Sequence, residues 1–154
     1  MSDEKIVIIL GSEKDTDFIE PAVKLLKEFE INNEIHIGSA HKTPRKVLDI
    51  LEKYEDRDEI VYLTVAGRSN ALSGFVDANS TSPVIACPPY SDKFGGADIF
   101  SSLRMPSGVG PMVVLDPENA GLAAAKILAL KNSEILEKIS SYRKKLKNKI
   151  RKRK

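Results

Sequence analysis

Ser39-Ala40-His41-Lys42-Thr43-Pro44 sets an imidazole, an ammonium and two hydroxyls beside the start of a helix-like run, Arg45 to Tyr54. The run before it, Glu34 to Gly38, reads as a strand. In a parallel α/β sheet such a junction lies at the carboxyl ends of the strands, where these folds bind ligands. A helix amino terminus attracts anions, and imidazole exchanges protons near neutral pH. The hexapeptide is therefore equipped for proton transfer beside a phosphorylated substrate. Taken alone, it also reads as a plain helix start, with Thr43 as N-cap, Pro44 in the first turn and a surface histidine.

Three other stretches carry comparable chemistry. Gly11-Ser12-Glu13-Lys14-Asp15 opens a helix, so its amides can cradle a phosphate, with Lys14 as a point charge and Asp15 as an acceptor for ribose hydroxyls. It matches neither the Walker A nor the dinucleotide glycine pattern, which disfavours ATP and NAD. The plainer alternative is a capped helix start, with Ser12 or Asp15 as the cap. Ala66-Gly67-Arg68-Ser69-Asn70 offers backbone donors and a guanidinium able to hold a carboxylate or phosphate, or to pair with an acid of the protein itself. Met105-Pro106-Ser107-Gly108-Val109-Gly110 has the composition of a closing loop, apolar with glycine hinges, or of a simple connection. Cys87 precedes two prolines without an activating base in sequence and reads as a buried, inert thiol. His36 falls within a strand and reads as structural or interfacial, and two histidines without a paired carboxylate motif disfavour a catalytic metal.

The elements that must position these stretches alternate. Strands are expected at Lys5–Leu10, Ile31–Gly38, Ile60–Val65, Pro83–Cys87 and Met112–Leu115, the first as a continuous apolar run typical of a buried parallel strand. Between them Phe18, Ala22, Leu25, Leu26 and Phe29 recur at helical spacing, as do Val47, Ile50, Leu51 and Tyr54. Ala71–Asn79 reads as a short helix, and Ser91–Ser102 as a Gly95-Gly96 turn with a short helix ending near Leu103. Pro117–Leu130 reads as a helix capped by Asp116. Right-handed crossovers then make a three-layer α/β fold around a doubly wound, parallel five-stranded, flavodoxin-like sheet. Its carboxyl edge gathers 11–15, 39–43, 66–70 and 87–90, with 105–110 nearby. We expect residues 1–130 to form one catalytic domain. Residues 131–154 add an amphipathic helix with the stripe Ile135, Ile139, Tyr142, Leu146 and Ile150, and a basic tail. An apolar stripe beyond a complete domain is expected to pack at least partly on a neighbouring subunit.

Composition bounds the rest. A chain of 154 residues, 42% apolar and 30% charged, fits one globular domain with a full core. The charged start leads directly into a strand, so no signal peptide is expected, and no run approaches the ~20 apolar residues that cross a membrane. A single cysteine excludes a disulfide framework and points to a reducing, cytoplasmic setting. The net charge of +2 divides unevenly: 141–154 hold nine basic residues and no acid, leaving 15 basic against 22 acidic residues before them. A solvated helix end is the expected role of this tail, and nucleic acid is not an expected partner.

Gly-Ser-x-x-Asp at 11–15, Ser-Ala-His-Lys-Thr-Pro at 39–44, Ala-Gly-Arg-Ser-Asn at 66–70, Cys-Pro-Pro at 87–89 and Ser-Ser-Leu-Arg-Met-Pro-Ser-Gly at 101–108 occur in that order. Together they resemble the phosphoribosylaminoimidazole carboxylase family of purine biosynthesis, over roughly residues 5–130. The family has a class that rearranges N5-carboxyaminoimidazole ribonucleotide and a class that joins CO₂ to 5-aminoimidazole ribonucleotide (AIR), giving 4-carboxy-5-aminoimidazole ribonucleotide. Lys42 stands where the first class has arginine, and Ala71 where it has a second histidine, so the sequence is similar to the CO₂-using class. Lys14 replaces a serine common in the family, exchanging a hydroxyl for a charge at the expected phosphate contact.

The resemblance implies His41 as the catalytic base. It implies substrate contacts from Gly11, Ser12, Lys14, Asp15, Ser39, Ala40, Lys42, Ala66, Gly67, Arg68, Ser69, Met105, Ser107 and Gly108. It implies no cofactor or metal, and a homo-oligomer, an octamer or tetramer, with sites near subunit boundaries. The alternatives are the mutase of the same family and a non-catalytic nucleotide-binding module.

Overall fold

The computed structural model describes residues 4–152, which leaves Met1–Asp3 and the last two residues of the basic tail, Arg153 and Lys154, outside the described residues. Strands β1 (Lys5–Leu10), β2 (Asn33–Ile37), β3 (Ile60–Val65), β4 (Val84–Ala86) and β5 (Met112–Val113) form one sheet, every pairing parallel, in the order β2-β1-β3-β4-β5. This is the flavodoxin-like order expected from the alternating elements.

The apolar runs are continuous because both faces of the sheet are covered. Ile6, Ile8 and Leu10 of β1 join Val61, Leu63 and Val65 of β3 under α1 (Thr16–Glu28) and α5 (Pro117–Leu128). Val7, Ile9 and Tyr62 face the other way, under α2 (Pro44–Glu52) and α3 (Leu72–Ala78). Two helices on one face approach closely at Gly121, where a Cβ would stand 3.1 Å from the Ala22 Cα. Proline at N1 and the Asp116 carboxylate, which accepts the Asn119 amide at 2.9 Å, start α5 as the sequence predicts. The short α4 (Phe100–Leu103) follows a kinked 3₁₀ segment in which Phe94, Gly95 and Gly96 all have positive φ.

The last helix, α6 (Ser133–Arg151), departs from expectation. Its start is tied to the start of β1, because Asn132 both caps the helix and donates to the buried Glu4 carboxylate at 2.7 Å. Ile135 and Ile139 are buried in this chain's own core, and the Tyr142 ring meets Phe29 edge-on while its hydroxyl donates to Glu118. The amino-terminal half of the stripe therefore packs within the chain. Only Leu146 and Ile150 stay exposed. A stripe that starts at a tethered N-cap runs along α5 before it passes the edge of the body.

Candidate active site

The cleft at the carboxyl edge follows from how the strands end. Parallel strands in register release their chains side by side, and the first residue after each strand continues the ladder: Gly11 donates to Val65 at 2.8 Å and Gly38 to Leu10 at 2.9 Å. A Cβ on Gly11 would stand 3.2 Å from that of Ala66, and one on Gly38 would stand 3.0 Å from the Val47 side chain, so glycine lets the loops leave close together. The result is a cleft of about 690 Å³ between the three loops.

The first wall is Gly11, Ser12, Lys14 and Asp15. Ser12 caps the short 3₁₀ turn Glu13–Asp15, accepting the Lys14 amide at 3.3 Å. Asp15 precedes α1 without capping it, and partial burial pushes its carboxyl above the usual carboxylate range. The second wall is Ser39, Ala40, His41 and Lys42. Thr43 stands at the N-cap position of α2, but its hydroxyl does not cap the helix. It turns back to accept the Ser39 amide at 3.0 Å, and its own amide donates to the Ser39 carbonyl at 2.9 Å. The Lys42 amide donates to the Ser39 hydroxyl at 3.2 Å. Ser39 and Thr43 thus tie the loop into a closed turn with the exposed His41 imidazole at its tip. The third wall is Ala66, Gly67, Arg68 and Ser69, with Ala71 and Leu72 behind. Arg68 is exposed, lines the cleft and, among the described residues, forms no salt bridge with a carboxylate.

Tyr90, Ser91 and Lys93 also line the cleft. Ser91 and Lys93 were not legible as site residues, because their segment lacks a motif and reads as a turn. Pro88-Pro89, which ends β4 and delivers them, was the available signal. With Lys93 the cleft holds Lys14, Lys42, Arg68 and Lys93 against Asp15 alone, a balance that favours an anionic ligand.

Met105, Ser107 and Gly108 do not reach this cleft. Their loop is fastened to α3: the Met105 sulfur lies 2.9 Å from where a Cβ of Gly74 would be, and the Gly110 amide donates to Asp77 at 2.7 Å. A loop stapled in this way is no hinged lid over its own site. Cys87 is fully buried, its thiol pushed up to about 12 by burial, which suits a packing role. His36 sits on β2 between Glu34 at 3.1 Å and the Tyr54 hydroxyl at 3.0 Å, far in function from the cleft it does not line.

A family model described as AIR carboxylase matches residues 5–149. The phosphoribosylaminoimidazole carboxylase of Archaeoglobus fulgidus is 60% identical over 138 residues, covering 90% of this chain and 76% of that protein. That of Treponema denticola is 52% identical over 139 residues, covering 89% and 87%. The human bifunctional phosphoribosylaminoimidazole carboxylase/phosphoribosylaminoimidazole succinocarboxamide synthetase is 40% identical, and this chain spans only 32% of it. The crystal structure of Treponema denticola PurE superposes with a TM-score of 0.94 at 48% identity, covering 97% of this chain and 95% of that one.

Proposed function

The chain belongs to the AIR carboxylase family, and on that premise we propose how its cleft carries out the carboxylation of AIR in purine biosynthesis. Carbon 4 of the aminoimidazole ring is nucleophilic, as in an enamine. It attacks the carbon of CO₂, a C–C bond forms, and the CO₂ oxygens take up the charge as a carboxylate. His41 then removes the proton left on carbon 4 and the ring regains aromaticity. Ring and electrophile are both reactive, so the protein's task is to hold them together and place charge.

The observation that carries this reading is the convergence of His41 with a cationic cleft: one exposed imidazole at a hydrogen-bonded loop tip, faced by Lys14, Lys42, Arg68 and Lys93. Ser12, Lys14 and Lys42 hold the phosphate, and Asp15 accepts from the ribose hydroxyls. Amides near Ser39 and at Ala66-Gly67 meet the forming carboxylate, with Arg68 beside them. Lys42 and Ala71 support free CO₂ as co-substrate over the N-carboxylated ribonucleotide. Incubation with each substrate separately tests this.

The same reading includes a cytoplasmic homo-oligomer, an octamer or tetramer. Among the described residues no helix is long and apolar enough to cross a membrane. The exposed Leu146 and Ile150 supply an uncovered apolar surface for assembly. Ser107 and Gly108, exposed and held away from their own cleft, then take part as contributions to the cleft of a neighbouring copy. Light scattering tests the assembly, and a monomer at working concentration would contradict it.

A further inference from the structure

Arg68 has φ of 61°, a left-handed conformation that a side-chain-bearing residue keeps only when its surroundings over-determine it. The surroundings are a polar cluster behind the turn, buried at Asn70, Ser73 and Ser102 and half-buried at Ser101. The Asn70 amide donates to the Ser101 hydroxyl at 2.9 Å. That hydroxyl faces two carbonyls with its one proton, Asp98 at 2.7 Å and Arg68 at 3.2 Å. Asn70 is 4% exposed, and its side chain donates to Ser73 of α3 at 3.0 Å and to Ser102 of α4 at 2.9 Å, while its side-chain carbonyl accepts the Ser73 amide. Asn70, Ser101 and Ser102 do not line the main cleft. Yet Ser101-Ser102 head the 101–108 motif, whose later residues are stapled elsewhere on α3.

We propose that Ser101, with Asn70 and Ser102 behind it, is a positioning residue that fixes the Arg68 turn in its left-handed form and so aims the guanidinium at the anionic ligand. A hydroxyl at 101 is suited to this because it accepts from one side of the turn and donates toward the other. An alanine there leaves the Asn70 amide without its partner and lets Arg68 relax to negative φ, which swings its side chain out of register with the cleft. The proposal rests on the reading that Arg68 touches the ribonucleotide.

The test is a double-mutant cycle read by the dissociation constant for AIR without CO₂, so that it does not depend on turnover. Glycine adopts positive φ without strain, so Arg68→Gly removes the guanidinium and the need for the clamp together. Ser101→Ala is expected to weaken AIR binding about tenfold in the wild-type background and less than about twofold in the Arg68→Gly background. Ser101→Thr, which keeps the hydroxyl, restores binding to within about threefold, and Ser102→Ala, which loosens Asn70, gives a smaller loss of the same kind. Equal losses from Ser101→Ala in both backgrounds would overturn the proposal, as would unchanged binding by Ser101→Ala when Arg68→Gly binds weakly. If Arg68→Gly binds like the wild type, the contact by Arg68 fails and the proposal falls with it, an outcome distinct from failure of the clamp alone. A lowered melting temperature with unchanged binding would mark Ser101 as merely structural.

Discussion

Gly38 donates its amide to the carbonyl of Leu10 at 2.9 Å, and this one bond lays the loop that carries His41 alongside the loop that carries Ser12 and Lys14. The chemistry of the cleft depends on that adjacency, since the base and the phosphate contacts come from different βα units. Among the described residues, the hydrogen bonds that build the loop come from Ser39 and Thr43 and none from His41. His41→Asn is therefore expected to abolish turnover while leaving AIR binding within about tenfold, or ~1.4 kcal/mol. Parallel calorimetry and rate assays check it, and retained turnover would remove His41 from the mechanism.

The contact between Gly121 and Ala22 is a backbone-to-backbone approach, so a methyl at 121 meets atoms that cannot rotate away. Gly121→Ala is expected to destabilise the chain by about 2 kcal/mol despite the better helix propensity of alanine. Urea unfolding measures it; an unchanged or raised midpoint would show that the two helices separate freely.

Glu34 gives the fold an acid limit. Lys53 at 2.7 Å, the Tyr54 hydroxyl and Lys5 at 3.0 Å lower its carboxyl from 4.5 to about 2. A depressed carboxylate contributes stability that is present above pH 4.5 and lost as pH falls toward 2. Burial lowers the pKa of His36, which adds a loss of the same sign as pH falls below the ordinary imidazole range. Glu34 is about one-third exposed, so solvent screening reduces the effect to the order of 1 kcal/mol. Glu34→Gln is expected to cost that much at pH 7 and almost nothing at pH 2. Denaturant titrations at both pH values check this, and an equal cost at both would rule out the ionic origin.

The two halves of α6 are expected to respond differently. Ile139 is 5% exposed, so Ile139→Ala should cost about 2–4 kcal/mol of stability within the chain. Leu146 is 40% exposed, so Leu146→Ala should leave chain stability within about 0.5 kcal/mol and weaken assembly. Unfolding and light scattering on both variants separate the roles.

The strands β1 and β3 were legible to the residue, because a run such as Ile60–Val65, all six residues buried and five of them apolar, suits a strand covered on both faces. The three cleft loops were legible because parallel topology fixes where strand ends meet. The 105–110 loop was not, since its composition suits both a lid and a staple, and its ties to α3 are contacts between distant segments, Met105 over Gly74 and the Gly110 amide on Asp77. Nor was the split of the α6 stripe: its period states that a face is apolar, and the tether between Asn132 and Glu4, 128 residues apart in sequence, selects which part of that face is covered. Ser101 and Asn70 belonged to recognised motifs, but their partnership is a contact between distant segments that spacing does not encode.

The most direct test of the carboxylase account is turnover of two substrates by the purified protein, measured separately. AIR with bicarbonate as the source of CO₂ is expected to yield the 4-carboxylated ribonucleotide without ATP, and the N5-carboxylated ribonucleotide is expected not to be rearranged. Rearrangement of the N5-carboxylated compound, with no product from AIR and bicarbonate, would contradict it.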